Sequence, residues 1–70
     1  MERKILARNL TERMREKNLT NPQVAELSGT NAPMISNIRN ARANPTLVTL
    51  SKIARAVGLT LGELLTLHTD

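Results

Sequence analysis

The sequence predicts an all-α protein, a compact bundle of five short helices. Apolar residues recur every three or four positions in five successive segments, which is the spacing of one helix face. Residues that favour helix starts and glycines that favour helix ends separate these segments. With 70 residues the chain is long enough for one domain, spanning 1–70. The chain lacks Phe, Tyr and Trp, so aliphatic side chains and methionine must form a small core.

The first helix is predicted over residues 2–17. Ile5, Leu6, Leu10 and Met14 follow helical spacing and form its apolar face. Charged residues cover the opposite face, where the side chains four positions apart in Arg8–Glu12 can form an ion pair. Asn18 is expected to end this helix.

The second helix is predicted over residues 21–28. Thr20 and Gln23 have the spacing of a capping box, although the Asn21-Pro22 pair leaves Asn21 open as an alternative cap. Val24 and Leu27 predict its apolar stripe, and Ala25 is small enough for a neighbouring helix to approach closely. Gly29 follows the last turn, where glycine accepts a positive φ without steric cost.

The third helix is predicted over residues 32–40, with Asn31 as its cap and Pro33 in its first turn. Ile35 and Ile38 lie three positions apart and define the buried side. The residues expected to point away from that side are Pro33, Ser36, Asn37 and Asn40.

The fourth helix is predicted over residues 45–57, capped by Asn44, begun by Pro45 and ended by Gly58. Its expected core stripe consists of Leu47, Leu50, Ile53, Ala54 and Val57. Thr60 and Glu63 form a second capping box, which opens a fifth helix over residues 61–67.

The segment from about 20 to 40 carries a further pattern: Ala25, Gly29, Ile35 and Ile38. These residues stand where phage lambda-type repressors and Cro-like proteins have a small residue, a glycine and two aliphatic residues. The sequence therefore resembles this helix-turn-helix family, and the likeness covers roughly residues 6 to 67. It continues in Pro45-Thr46-Leu47, Leu50, Ile53-Ala54, Ala56, Gly58, Leu61 and Glu63-Leu64-Leu65.

The resemblance implies that the third helix enters the major groove of double-stranded DNA. Asn37 is the strongest base-contact candidate, because its amide can bond adenine N6 and N7 together. Asn31 stays ambiguous, since capping would use its amide. The expected base-contact residues are Asn31, Ala32, Pro33, Ser36 and Asn37. The expected phosphate contacts are Asn21, Arg39, Asn40, Arg42 and Asn44.

Three positions depart from the family pattern. Members often pair an arginine at the position of Met14 with a glutamate at that of Arg39, and both are changed here. We expect Arg39 to extend along the surface or to reach Glu12, Glu16 or a phosphate instead, and the hypothesis is a phosphate contact. The family usually has glycine where Ala41 stands, which makes the turn after the third helix uncertain.

The resemblance also implies a homodimer on a palindromic operator, with half-sites about one helical turn apart. The fifth helix has more leucine than one short helix needs for its own core. Part of this surface is expected to dimerise, and ordinary packing against the first and fourth helices is expected to use the rest. The candidate interface consists of Leu61, Leu64, Leu65 and Leu67.

Other classes of function receive little support. The chain has one histidine, no cysteine and scattered acids, so neither an enzyme, nor a metal site, nor a cofactor is expected. No apolar run approaches the roughly 20 residues that span a bilayer, and none suits a secretory signal. A cytoplasmic, DNA-binding transcriptional repressor is the leading expectation, and the net charge of +4 is a weak indication of a polyanionic partner.

Alternatives to a repressor remain open in two classes, regulators of the same fold and a protein-interaction module. An antitoxin, which would also bind a protein partner, or a controller of a restriction system would have the same fold. A helical protein-interaction module without DNA binding would also explain the uncharged stretch between Thr30 and Ile38.

Overall fold

The computed structural model describes residues 3–67 and contains five α-helices in this part of the chain. They are α1 (Arg3–Glu16), α2 (Asn21–Ser28), α3 (Ala32–Arg39), α4 (Leu47–Ala56) and α5 (Leu61–Leu65). No strand occurs in this range. The all-α, five-helix prediction is therefore confirmed. The predicted beginning of the first helix at residue 2 lies outside the described residues.

Side-chain caps begin four of the helices. The capping boxes of Thr20 with Gln23 and of Thr60 with Glu63 are both complete. At the beginning of α3, the Met34 amide donates to Asn31 Oδ1 at 2.9 Å. These three starts were predicted correctly because each depends on residues within one turn of one another.

The start of α4 was predicted two residues too early. Thr46, not Asn44, is the cap, and its Oγ1 accepts from the Thr49 amide at 3.2 Å. Pro45 lies before the helix, and Thr46 itself is extended, with φ −71° and ψ 161°. Leu47 thus becomes the first helical residue and is 65% exposed. Leu27, predicted for the apolar stripe of the second helix, is also exposed, at 62%.

A shared hydrogen-bond pattern ends α1, α2, α3 and α4. In each, the residue after the last turn is left-handed: Asn18 (φ 54°), Gly29 (φ 68°), Ala41 (φ 57°) and Gly58 (φ 75°). The amide of the next residue then bonds a carbonyl five positions back, as in Thr30 to Ala25 at 2.9 Å and Arg42 to Asn37 at 2.8 Å. This is the Schellman motif, which satisfies carbonyls left open by the helix end.

The core lies where the five helices meet, and all five contribute to it. α2 packs on α3 and α4, and α1 packs on α3 and α5. The helices enclose an aliphatic cluster made of Leu6, Leu10, Met14, Val24, Ala25, Ile35, Ile38, Leu50, Ile53, Ala54, Val57 and Leu64. Burial of this cluster is the main force that holds the short helices in place, since helices of eight residues are unstable alone.

Two polar side chains of α1 hold the ends of α4 and α5. The Asn9 amide, which is buried, donates to the carbonyls of Leu64 and Thr66, both at 2.8 Å. Arg13 Nε donates to the Val57 carbonyl at 2.9 Å. Carbonyls at a helix end lack intrahelical partners, so these bonds cap both helices from a distance.

Candidate nucleic-acid interface

α3 packs against its neighbours through one side and exposes the other side to solvent. Ile35 and Ile38 are 0% and 1% exposed, and they fix α3 against α1 and α2. Ala25, 5% exposed, lies in the same core cluster. The Gly29 turn between α2 and α3 is closed by the Thr30 amide. Packing against α1 and α2 therefore holds the opposite, solvent-facing side of α3 in a fixed orientation.

The predicted base-contact residues lie at the beginning of α3 and on its outer face. Pro33 and Asn37 are exposed, whereas Ala32 and Ser36 are half-buried. The Asn37 side chain has no hydrogen-bond partner among residues 3–67. Asn31 uses its Oδ1 to cap α3, and only its amide nitrogen remains available. Among the predicted base-contact residues, Asn37 is therefore the exposed asparagine whose whole side-chain amide is free to form hydrogen bonds.

A polar niche lies beside this face, where α1, α2 and α3 meet. It is a cavity of about 340 Å³ lined by Thr11, Asn21, Ser36, Arg39 and Asn40. Four of the ten predicted DNA contacts are therefore brought together. Asn40 is oriented by its own bond, because its Nδ2 donates to the Ser36 carbonyl at 2.8 Å.

Arg39 is the only charged residue of this polar niche. Its Nε donates to Thr11 Oγ1 at 3.2 Å and its Nη1 to Asn21 Oδ1 at 2.6 Å. Within residues 3–67 it pairs with no carboxylate. The expectation that it reaches Glu12 or Glu16 is wrong, because those acids pair with Arg8 and Arg13. A guanidinium whose hydrogen-bond acceptors are neutral oxygens has no neighbouring negative charge to offset its own, so it can still pair with an anion.

The first turn of α2 adds hydrogen-bond donors to the same niche. Asn21 is the first residue of α2, and the first amides of a helix have no intrahelical acceptor. Its side-chain oxygen already accepts from Arg39, so its amide nitrogen and backbone N–H are the groups left to donate. A helix start of this kind favours anions such as phosphate.

Arg42 and Asn44 lie in the segment that joins α3 to α4, outside the polar niche. Both side chains are exposed and have no partner among residues 3–67. The left-handed turn at Ala41 closes as it would with glycine, and it directs this segment away from the end of α3. The changed residue at position 41 therefore preserves the turn.

The leucines of the predicted dimer interface separate into three groups. Leu64 is 0% exposed and fills the core, so its assignment to a dimer surface is wrong. Leu61 and Leu65 are half-buried against the core, and Leu67 is 53% exposed, beyond the end of α5. Leu64 is buried because α5 has only five residues and packs against the other helices through this side chain.

Sequence reasoning missed Thr11 as a member of the polar niche. It lies 28 positions from Arg39, so no local pattern connects them.

The described part of the chain contains no cluster of His, Cys, Asp or Glu suited to a metal ion. Among its helices, none has the length and apolar character needed to cross a membrane.

Residues 9–70 match the Cro/C1-type HTH DNA-binding domain. This chain belongs to the Cro/C1-type helix-turn-helix family. The match covers the whole helix-turn-helix segment, all of α2 to α5 and the second half of α1. The resemblance inferred from Ala25, Gly29, Ile35 and Ile38 is thereby confirmed.

Similar proteins agree with this membership of the Cro/C1-type family. An uncharacterised HTH-type transcriptional regulator of Sinorhizobium fredii is 38% identical over 64 residues, which cover 91% of this chain and 83% of that protein. A hypothetical transcription factor from Neisseria has a TM-score of 0.88 at 26% identity, covering 94% of this chain and 76% of the other. The restriction-modification controller C.AhdI from Aeromonas hydrophila has a TM-score of 0.84 at 26% identity, covering 89% and 94%.

These findings identify a transcriptional regulator of the Cro/C1 type. The matched family is a DNA-binding domain family and not an enzyme family, and the similar proteins are named as a transcriptional regulator, a transcription factor and a restriction-modification controller. The expectation of a DNA-binding regulator is confirmed at that level.

Proposed function

We propose that this regulator is a repressor that reads a specific double-stranded DNA site with α3. The observation that carries the proposal is the outer face of α3, where the free amide of Asn37 lies on a helix held rigidly by Ile35 and Ile38. An asparagine amide in the major groove can bond adenine N6 and N7. Ala32 and Pro33 supply apolar contacts for thymine methyls, and Asn31 and Ser36 complete the base-reading surface.

Phosphate contacts on both sides of this surface would orient α3. The polar niche offers Arg39, Asn21 and Asn40 to one phosphate group. Arg42 and Asn44, in the segment after α3, are exposed and would contact the next phosphates. Contacts to phosphate position a protein on DNA, whereas contacts to base edges provide the sequence preference.

The proposed assembly is a homodimer on a palindromic operator. The chain would form one DNA-binding domain, which by itself reads only a few base pairs. Leu61, Leu65 and Leu67 remain the proposed dimer surface, with Leu67 as its exposed centre. A dimer that occupies promoter DNA would block transcription, and such a repressor would act in the cytoplasm.

Site selection followed by footprinting tests the proposal directly. The regulator is incubated with random DNA duplexes at moderate salt, bound duplexes are enriched, and the consensus is footprinted. We expect a palindrome whose half-sites lie about one helical turn apart. Affinity should decrease with added salt while the preferred site remains the same. Enrichment of no sequence over random duplexes would refute the proposal.

Control of restriction-modification genes is a second candidate function. It is supported by the likeness to C.AhdI, which covers 94% of that controller. Mapping the bound sites on the source genome distinguishes the two candidates. Sites beside restriction and methyltransferase genes support the controller, and sites only beside other genes support a repressor of a different system.

A further inference from the structure

The face formed by α2 and α4 exposes apolar side chains that the DNA-binding proposal does not use. Leu27 on α2 is 62% exposed and Val48 on α4 is 66% exposed. Large aliphatic side chains with this exposure are a feature of interaction surfaces when they lie together. Both residues line the same cavity, which makes them opposite sides of one surface feature.

This feature is an open groove of about 700 Å³ between α2 and α4. Small residues line it between the two apolar rims, namely Ser28, Gly29 and Ser51. A Cβ at Gly29 would have no atom within 4 Å, which shows that this part of the groove is open. Ser28 is buried and its hydroxyl donates to the Val24 carbonyl at 2.7 Å. We refer to this feature as the α2–α4 groove.

The charges along the α2–α4 groove are unbalanced. Lys52 and Arg55 lie on the same stripe of α4 as Val48, four and seven positions later. Neither cation has a hydrogen bond or ion pair within residues 3–67. Glu26 supplies the single carboxylate of the lining. The groove therefore combines an apolar surface with an excess of positive charge.

We propose that the α2–α4 groove binds an acidic amphipathic helix of a partner protein. Apolar side chains at positions i, i+4 and i+7 of that helix would pack between Leu27 and Val48. Its flanking carboxylates would pair with Lys52 and Arg55. An apolar groove that receives an amphipathic helix is a common mode of recognition, and complementary charge sets the specificity and orientation of such a contact.

The α2–α4 groove and the polar niche at the DNA-facing side share no residue. The proposal is independent of the DNA-binding function and does not require it. If both hold, the regulator can bind a partner while it occupies its operator. A protein-binding surface of this kind would connect DNA occupancy to a second macromolecule.

A synthetic helix tests the groove directly. The probe is a fluorescein-labelled peptide of roughly 20 residues, long enough to form a helix, with leucines at i, i+4 and i+7 and glutamates beside them. Binding to the full chain is followed by anisotropy. Two control peptides carry lysine in place of every glutamate, or serine in place of every leucine. We expect the glutamate peptide to bind about tenfold more tightly than either control, which corresponds to about 1.4 kcal/mol.

Variants of the full chain locate the binding. Leu27→Ser combined with Val48→Ser, and Lys52→Gln combined with Arg55→Gln, should each weaken peptide binding about tenfold. Leu47→Ser changes an exposed leucine that does not line the groove, and Arg15→Gln changes an exposed cation on α1. Both variants should leave peptide binding unchanged. Circular dichroism and Tm confirm that each variant is folded, which is expected because all the altered groove side chains are exposed.

Three results would overturn the groove proposal. The first is equal binding of the glutamate and lysine peptides, or no binding of the glutamate peptide at all. The second is a dimer that dissociates when Leu27 and Val48 are changed, since the groove would then be occupied by a second copy. The third is loss of DNA affinity in the Lys52→Gln, Arg55→Gln variant, which would make these cations phosphate contacts. Failure of DNA binding in the unmodified chain would leave the peptide result intact.

Discussion

At the scale of single residues, Arg39 combines a structural and a proposed functional role. Its guanidinium bonds Thr11 on α1 and Asn21 at the beginning of α2, and thus connects three helices. It has no carboxylate partner within residues 3–67. A side chain that served packing alone would gain little from an uncompensated charge in a half-buried site, so the charge itself favours an anionic ligand.

Replacing Arg39 should separate these roles. Arg39→Gln keeps a hydrogen-bond donor but removes the charge, and we expect weaker binding to all duplexes with a salt dependence reduced by about one phosphate contact. Arg39→Ala should in addition lower Tm, because Thr11 and Asn21 would then have no donor from α3. Titration of duplex DNA at several salt concentrations measures the first effect. An unchanged salt slope in both variants, with only Tm reduced, would make Arg39 purely structural.

Asn37 should determine sequence preference without affecting stability. Asn37→Ala removes an exposed amide with no partner among residues 3–67, so Tm should remain the same or rise slightly. Affinity for the preferred site should fall by about 1–3 kcal/mol, with relaxed preference at one base pair. Asn44→Ala is the matched control, since removal of a phosphate-binding amide should weaken binding to all duplexes alike. Retention of the full preference by Asn37→Ala would remove this residue from the base contacts.

At the scale of the helices, the Schellman ends of α1 to α4 explain why such short elements have defined boundaries. Each end requires one residue with positive φ, and two of the four positions have glycine. Asn18 tolerates this conformation better than most residues, because its short polar side chain can bond locally. Ala41 has neither advantage and adopts φ 57°, so the end of α3 is strained.

Relief of this strain should stabilise the protein. We expect Ala41→Gly to raise the free energy of unfolding by about 1 kcal/mol, because the left-handed conformation penalises a Cβ. In a domain of this size that increase raises Tm by roughly 4–8 °C, which calorimetry can measure. Asn18→Gly is the control and should give a smaller increase. A lower Tm for Ala41→Gly would contradict this account of the turn.

The attachment of α5 depends on Asn9 of α1. We expect Asn9→Ala to destabilise the protein by about 1–3 kcal/mol, because the carbonyls of Leu64 and Thr66 would be left without this donor in a partly buried site. Urea unfolding measures the change, and hydrogen exchange should show it first in α5. Arg8→Ala, which removes only an exposed ion pair with Glu12, should cost less than about 0.5 kcal/mol. Equal effects of the two changes would exclude the capping role of Asn9.

At the scale of the whole molecule, the five helices present three separate surfaces. The outer face of α3 and the polar niche form the proposed DNA surface, the α2–α4 groove forms the proposed partner surface, and the region after α5 exposes Leu67. A core of aliphatic side chains supports all three in a molecule with extents of 30 × 24 × 19 Å. Because the domain is small, association with a second subunit would add stability.

The proposed dimer can be tested at Leu67. Leu67→Glu places a charge in the proposed interface, and we expect sedimentation to show a shift toward monomer. Affinity for a palindromic site should fall about tenfold, while affinity for an isolated half-site stays the same, because only the linkage between two binding events is removed. Leu27→Glu alters another exposed leucine, on α2, and should leave the monomer–dimer equilibrium unchanged. An unaffected equilibrium in Leu67→Glu would place the interface elsewhere.

The fold class, the order of the helices and most helix boundaries follow from local signals in the sequence. Thr20 with Gln23, Thr60 with Glu63, Asn31, Gly29 and Gly58 were all interpreted correctly. Each of these signals acts within a few positions along the chain, so the local sequence contains the whole interaction. The pattern of Ala25, Gly29, Ile35 and Ile38 also identified the family. The packing of α2 on α3 requires a small residue, a turn residue and two aliphatic residues, and these positions are close in sequence.

Which side chains meet across the bundle depends instead on how the helices pack in three dimensions. In the folded molecule Arg39 bonds Thr11 and Asn21, and Asn9 caps α5. Leu64 is buried, whereas Leu27 and Leu47 are exposed. These outcomes depend on partners from 18 to 57 positions away and on the packing of neighbouring helices. Helical periodicity shows that a side is apolar, but whether another helix covers a given residue depends on how the helices are arranged in three dimensions.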